Sequence, residues 1–174
     1  MTVQLPIIAA DIGRARWARA KAAAHAWRGE MIDVFAQGER AVTDTLVLIG
    51  PALTPPLSSA LLYGQRLQLL SAAVAAGGSH AEVGQHARHA LQRFAALTEL
   101  RHALCHGAAT LALDEASAWI LILDLLALRS GGGAKTMHVV REAEAATTLE
   151  RVASDGRMLA GQLRRLRELV AATG

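Results

Sequence analysis

Between Trp17 and Leu48 the positions Trp17, Ala20, Ala24, Trp27, Met31, Val34, Ala41, Thr45 and Leu48 recur at steps near three and four, the spacing of one helical face. A chain with that stripe must be organised around a long first helix, or two consecutive ones, whose apolar side needs cover. Gly29 and Gly38 are the places where it would bend. Gly50-Pro51 with Pro55-Pro56 ends it, because proline lacks the N–H donor and pushes the preceding residue out of the α region. A second helix is expected from near Leu57, with Ala60, Tyr63, Leu67, Leu70 and Val74 on its stripe and Gly77-Gly78-Ser79 as the stop. The next stripe, Val83, Ala87, Ala90, Phe94 and Leu97, runs on into Arg101 and Leu104. Leu149, Val152, Leu159, Leu163, Leu166 and Val170 mark a last helix, expected to start at Thr147 or Thr148.

After Gly107 the periodicity changes. The runs Ala118 to Leu123 and Thr136 to Val140 flank Gly131-Gly132-Gly133 and read as a β-hairpin. The competing reading makes Asp114 an N-cap, Glu115 to Arg129 a helix and the glycines its stop, since short apolar runs are ambiguous. Aromatic residues make up only 3% of a chain that is 52% hydrophobic, so small and branched aliphatic packing between helices is favoured over an aromatic-rich sandwich. The expected fold is mainly α: a four- or five-helix up-and-down bundle with a small β-hairpin inserted before the last helix. Residues 1–174 are enough for a single domain with its own core.

Several function classes fall away at this stage. Cys105 is the only cysteine, so no intramolecular disulfide can form. The longest apolar run breaks at Asp124, well short of a membrane span, and no apolar leader with a cleavage site opens the chain. A soluble, cytoplasmic protein without membrane contact is the expectation. The formal charge of +3 is modest. Arg14, Arg16, Arg19, Lys21 and Arg28 cluster near one end and Arg157, Arg164, Arg165 and Arg167 near the other; either set suits a phosphate-facing patch or a solvated helix face.

Chemistry concentrates in Leu100-Arg101-His102-Ala103-Leu104-Cys105-His106-Gly107. Arg101 falls where the stripe calls for an apolar residue, so its guanidinium is expected against packed surface, in want of an anion. An arginine and a histidine with no carboxylate, metal or serine nucleophile beside them are sufficient to cleave RNA. The 2′-hydroxyl is an internal nucleophile, so the protein must supply a base near neutral pKa, a cation for the pentavalent phosphorane and a proton for the leaving 5′-oxygen. His106 suits the first or third role and Arg101 the second; His102 would hold a phosphate or orient its neighbour. No cofactor or metal is required.

Arg101-His102-Ala103-Leu104-Cys105-His106 resembles the hallmark of the HEPN superfamily of small helical domains: arginine, a polar residue, three residues, then histidine. Leu100 before the motif, Gly107 after it, a hairpin-like insert and a closing amphipathic helix extend the resemblance over roughly residues 37–170. In that superfamily asparagine is the commoner polar residue, and His102 stands in its place. The resemblance implies a metal-independent endoribonuclease, a toxin or defence effector restrained by a cognate antitoxin protein, with Arg101, His102 and His106 in a site composed across a homodimer and RNA as the partner. Other members bind without cleaving, and a non-catalytic dimeric helical module binding a protein or RNA is the alternative.

Geometry bears on the dimer. Five residues of ideal helix turn the side-chain direction by roughly 140°, so Arg101 and His106 are not expected on one face. Either the helix loosens before a left-handed Gly107, or Arg101 of one subunit works with His106 of another across a twofold axis. His102, Cys105 and His106 read less well as metal ligands, because a fourth ligand is missing from the pattern. His86 and His89 read as surface residues on their helix. Trp17, Trp27 and Trp119 read as core in preference to base-stacking platforms.

Overall fold

The computed structural model describes residues 13–53, 60–129 and 132–173. Five helices, α1 (Arg14–Ile49), α2 (Tyr63–Val74), α3 (Gln85–Ala95), α4 (Thr98–His106) and α5 (Glu142–Thr173), carry most of the described chain. Strands β1 (Ala108–Leu113), β2 (Trp119–Arg129) and β3 (Gly132–Arg141) lie between α4 and α5. The chain is mainly α with a small antiparallel sheet before its last helix, as its periodicity indicates.

The first stripe becomes one helix that passes through Gly29 and Gly38 and stops at a 3-10 turn over Gly50–Ala52, with proline in its first turn. Gly38 is there for packing: a Cβ on it would sit 2.7 Å from Phe94 Cε1. Trp17 departs from expectation. It is 38% exposed, one turn before the first buried alanine, Ala20. The expected start near Leu57 lies outside the described residues, as do Pro55, Pro56 and Gly131; α2 begins at Tyr63, with Gln65 accepting from the Leu62 N–H. Beyond α2, Gly77 takes φ +81°, a conformation that glycine alone adopts without strain.

Two further boundaries differ from the sequence expectation. The stripe from Val83 to Leu104 is broken into α3 and α4, because Leu97 N–H bonds to Phe94 O at 3.1 Å and Thr98 Oγ1 bonds to Ala95 O at 2.7 Å, tightening the chain for one turn. The last helix starts at Glu142, ahead of Thr147, with Glu142 and Glu144 in its first turn where carboxylates complement the positive end of the helix dipole.

The sheet has the order β1-β2-β3, both pairings antiparallel. It is larger than the expected hairpin, because Ala108–Leu113 adds a strand running from Leu113↔Trp119 to Ala108↔Asp124. Trp119 to Arg129 is a strand and the helical alternative fails. β3 is registered on β2 from Ile120↔Arg141 to Arg129↔Gly132. Leu121, Leu123 and Val140 share one buried face, while Leu126, Met137 and Val139 on the other stay exposed.

By internal contacts the chain forms two compact units, residues 1–32 with 99–151 and residues 33–98 with 152–174. In the first, Trp27 and Trp119 meet with ring centroids 5.9 Å apart, and Trp27 Nε1 donates to Ala145 O at 2.8 Å. In the second, Phe35 and Phe94 meet at 5.6 Å, and Leu46, Leu70, Leu91 and Leu163 are buried. Aromatic pairs of this kind add about 0.5–1.5 kcal/mol beyond the area they bury.

Candidate functional site at the end of α4

α4 is a nine-residue helix with Glu99 in its first turn and His106 in its last. Ala103 and Leu104 are fully buried, which fixes the helix by its apolar side and turns Arg101, His102 and His106 away from the core. Arg101 is half-buried; His102 and His106 are exposed. The arginine that interrupts the stripe therefore sits at the edge of the packed surface.

The structure brings all three residues together in one chain. Arg101 Nη1 lies 3.5 Å from His106 Nε2. The rings of His102 and His106, one helical turn apart, meet edge-on with centroids 6.1 Å apart. The angular mismatch along the helix is closed by the length of the arginine side chain. Helix loosening plays no part, because the last turn is intact: Gly107 N–H donates to Ala103 O at 2.9 Å.

Guanidinium has donors only, so the lone pair at this contact belongs to the imidazole. A hydrogen bond between the two runs from the Arg101 guanidinium to His106 Nε2. That pairing of a basic nitrogen with a planar charge is the chemical content of the site.

Gly107 does not take the left-handed conformation that one of the two readings gives it. Among the described glycines only Gly77 has positive φ. What Gly107 provides is close approach: a Cβ on it would lie 2.5 Å from Ala103 O and 3.4 Å from Leu123 Cβ. The chain passes directly from α4 into β1 over this buried residue.

Arg28 is the residue that sequence reasoning missed. Its Nε and Nη2 donate to Leu104 O at 2.8 and 2.5 Å, and Nη2 reaches Gly107 O at 3.4 Å. A guanidinium from α1 thus satisfies carbonyls that the helix end leaves without intrahelical donors and places a cation at the negative pole of α4. In the sequence Arg28 is one of a run of arginines near the N-terminus, and its spacing carries no sign of a partner 76 residues away.

Cys105 is free and half-buried on the same helix. Among the described residues no group of three or more His, Cys, Asp or Glu is placed to hold a metal ion. No described helix is long and apolar enough to cross a membrane. Comparison with protein-family profiles, with curated proteins and with solved structures gives no match.

Proposed function

We propose that the protein is a metal-independent endoribonuclease acting through Arg101, His102 and His106. The observation that carries the reading is the 3.5 Å approach of Arg101 Nη1 to an acceptor nitrogen of His106 at an exposed helix end. Once the Arg101 guanidinium turns from His106 to the phosphate, His106 Nε2 takes the proton from a ribose 2′-hydroxyl as its oxygen attacks the adjacent phosphorus. Arg101 faces the non-bridging oxygens, on which negative charge concentrates in the phosphorane. The P–O5′ bond breaks as His102, acting in its imidazolium form, donates its proton to the departing 5′-oxygen, and proton exchange with water then restores both histidines. The products are a 2′,3′-cyclic phosphate and a 5′-hydroxyl.

The same reading includes a homodimer that brings two copies of the site together, and an antitoxin protein that occludes it. Light scattering tests the first; a monomer would remove it. Incubation of the purified protein with single-stranded RNA in excess EDTA tests the chemistry. The expected result is cleavage with cyclic-phosphate ends that His106→Ala lowers by at least about a hundredfold, the scale of a lost general base. Circular dichroism should be unchanged.

A non-catalytic binding module is the second reading, favoured by the sheet face on which Leu126, Met137 and Val139 are exposed beside the Asp124–Lys135 ion pair. It predicts no cleavage by the parent and altered association in Met137→Lys, with His106→Ala silent.

A further inference from the structure

The N-terminal turns of α1 and the β1–β2 turn line a cleft of about 370 Å³, a volume at the lower end of small-ligand sites, which run roughly 300–1,000 Å³. Its walls include Arg16 and Arg19 from α1, Ser117 from the turn and Glu142 from the start of α5, with Ala20 and Ala23 also in the lining. Residues three apart on a helix are neighbours on one flank, so both guanidinium groups serve the same space. The alanines keep that space open.

Arg16 and Arg19 are exposed, and neither has a side-chain hydrogen bond or ion pair among the described residues. Two adjacent unpaired cations repel, and an anion with several oxygens relieves both at once. Ser117 adds a hydroxyl with no hydrogen-bond partner among the described residues, on a backbone held at φ +66°. A non-glycine residue in that region carries strain of about 1 kcal/mol or more, which a tight turn must impose. The turn is pinned by Asp114, whose N–H donates to Ala118 O and whose Oδ1 accepts from Ala118 N–H, both at 2.9 Å. Glu142 is the opposing charge in the lining, and its Oε2 is engaged by the Trp119 N–H at 3.0 Å.

The geometry points to this cleft as a phosphate-binding site, gripped by the planar forks of Arg16 and Arg19 with Ser117 as a neutral donor. A phosphate presents its oxygens in a tetrahedral array that two guanidinium forks can approach from different directions, whereas a carboxylate's oxygens lie in one plane. The phosphate is either a diester of a single-stranded RNA or a free ion. The site stands apart from the proposed cleavage chemistry, so each can fail alone.

Calorimetry with a short 2′-O-methyl oligoribonucleotide, which cannot be cleaved, and separately with inorganic phosphate, tests it. Arg16→Ala/Arg19→Ala should weaken binding at least about tenfold, while the charge-matched control Arg157→Ala/Arg165→Ala stays within about twofold. For the oligonucleotide the salt dependence should flatten by about 0.7 in log–log slope, the value for one lost single-strand phosphate contact. Glu142→Gln should tighten binding, a gain that misfolding cannot mimic. A loss confined to the oligonucleotide assigns the strand diester, and a loss with inorganic phosphate as well assigns a free-ion site. Equal losses in both double variants, or no binding of either probe by the parent, overturns the proposal.

Discussion

Arg28→Ala is the sharpest test of how α1 fixes the end of α4. The substitution removes two short charge-assisted hydrogen bonds to Leu104 O and a longer one to Gly107 O. A hydrogen bond from a charged group is worth about 1.5–3 kcal/mol, and a buried carbonyl left unpaired costs about 1–3 kcal/mol. Arg28 is only half-buried, so water reaches part of the vacated position and reduces the loss. The two bonds to Leu104 also share one acceptor and do not add. About 2 kcal/mol is the expected destabilisation, to be read from the urea midpoint at unchanged m-value. For a chain of this length that corresponds to a fall in Tm of about 4–8 °C. Arg28→Lys should recover roughly half, since an ammonium can cap one carbonyl but lacks the fork that meets Leu104 with two nitrogens. A change below about 0.5 kcal/mol in Arg28→Ala, the ordinary range of surface substitutions, would refute the capping argument. Full recovery by lysine would show that charge alone matters.

Gly107→Ala should cost about 1–3 kcal/mol because its Cβ would meet backbone, Ala103 O at 2.5 Å, which has little freedom to move; thermal unfolding is the measure, and an unchanged Tm would refute the close approach. Gly38→Ala should destabilise by a similar amount of about 1–3 kcal/mol through Phe94, and Phe94→Leu in the same chain should lessen the additional penalty; strict additivity in the double-mutant cycle would mean the two positions do not touch. Ser117→Gly should stabilise by about 0.5–1 kcal/mol, since glycine accepts φ +66° freely but loses more entropy on folding; a net loss in denaturant titration would count against strain at the β1–β2 turn.

Much of the fold was legible because periodicity is a local property. The stripe from Trp17 to Leu48 needs no knowledge of its partners to read as helix, and the short apolar runs on either side of Gly131-Gly132-Gly133 suffice to suggest the hairpin. β1 was not legible. Ala108-Ala109-Thr110-Leu111-Ala112-Leu113 has weak strand propensity, and it is a strand because β2 offers it a ladder. The break at Ala96 and Leu97 was hidden for the opposite reason: the apolar spacing carries on across a turn that only backbone hydrogen bonds reveal.

Arg101, His102 and His106 could be singled out from the sequence because their types and order match the proton transfer and charge stabilisation of the proposed reaction. Their distances could not. Helical rotation places Arg101 and His106 well apart in direction, and the contact at 3.5 Å exists because a long flexible side chain bridges it while buried Ala103 and Leu104 hold the helix still. By itself the sequence determined the helical class, the insertion of β structure before the last helix and the short segment where chemistry gathers. The tertiary structure decided that Arg28 serves as a cap, that Gly107 is demanded by close approach and not by a left-handed turn, and that Arg16 and Arg19 share a cleft with Ser117. Those facts depend on residues tens of positions apart meeting in space, and nothing in local spacing encodes such a meeting.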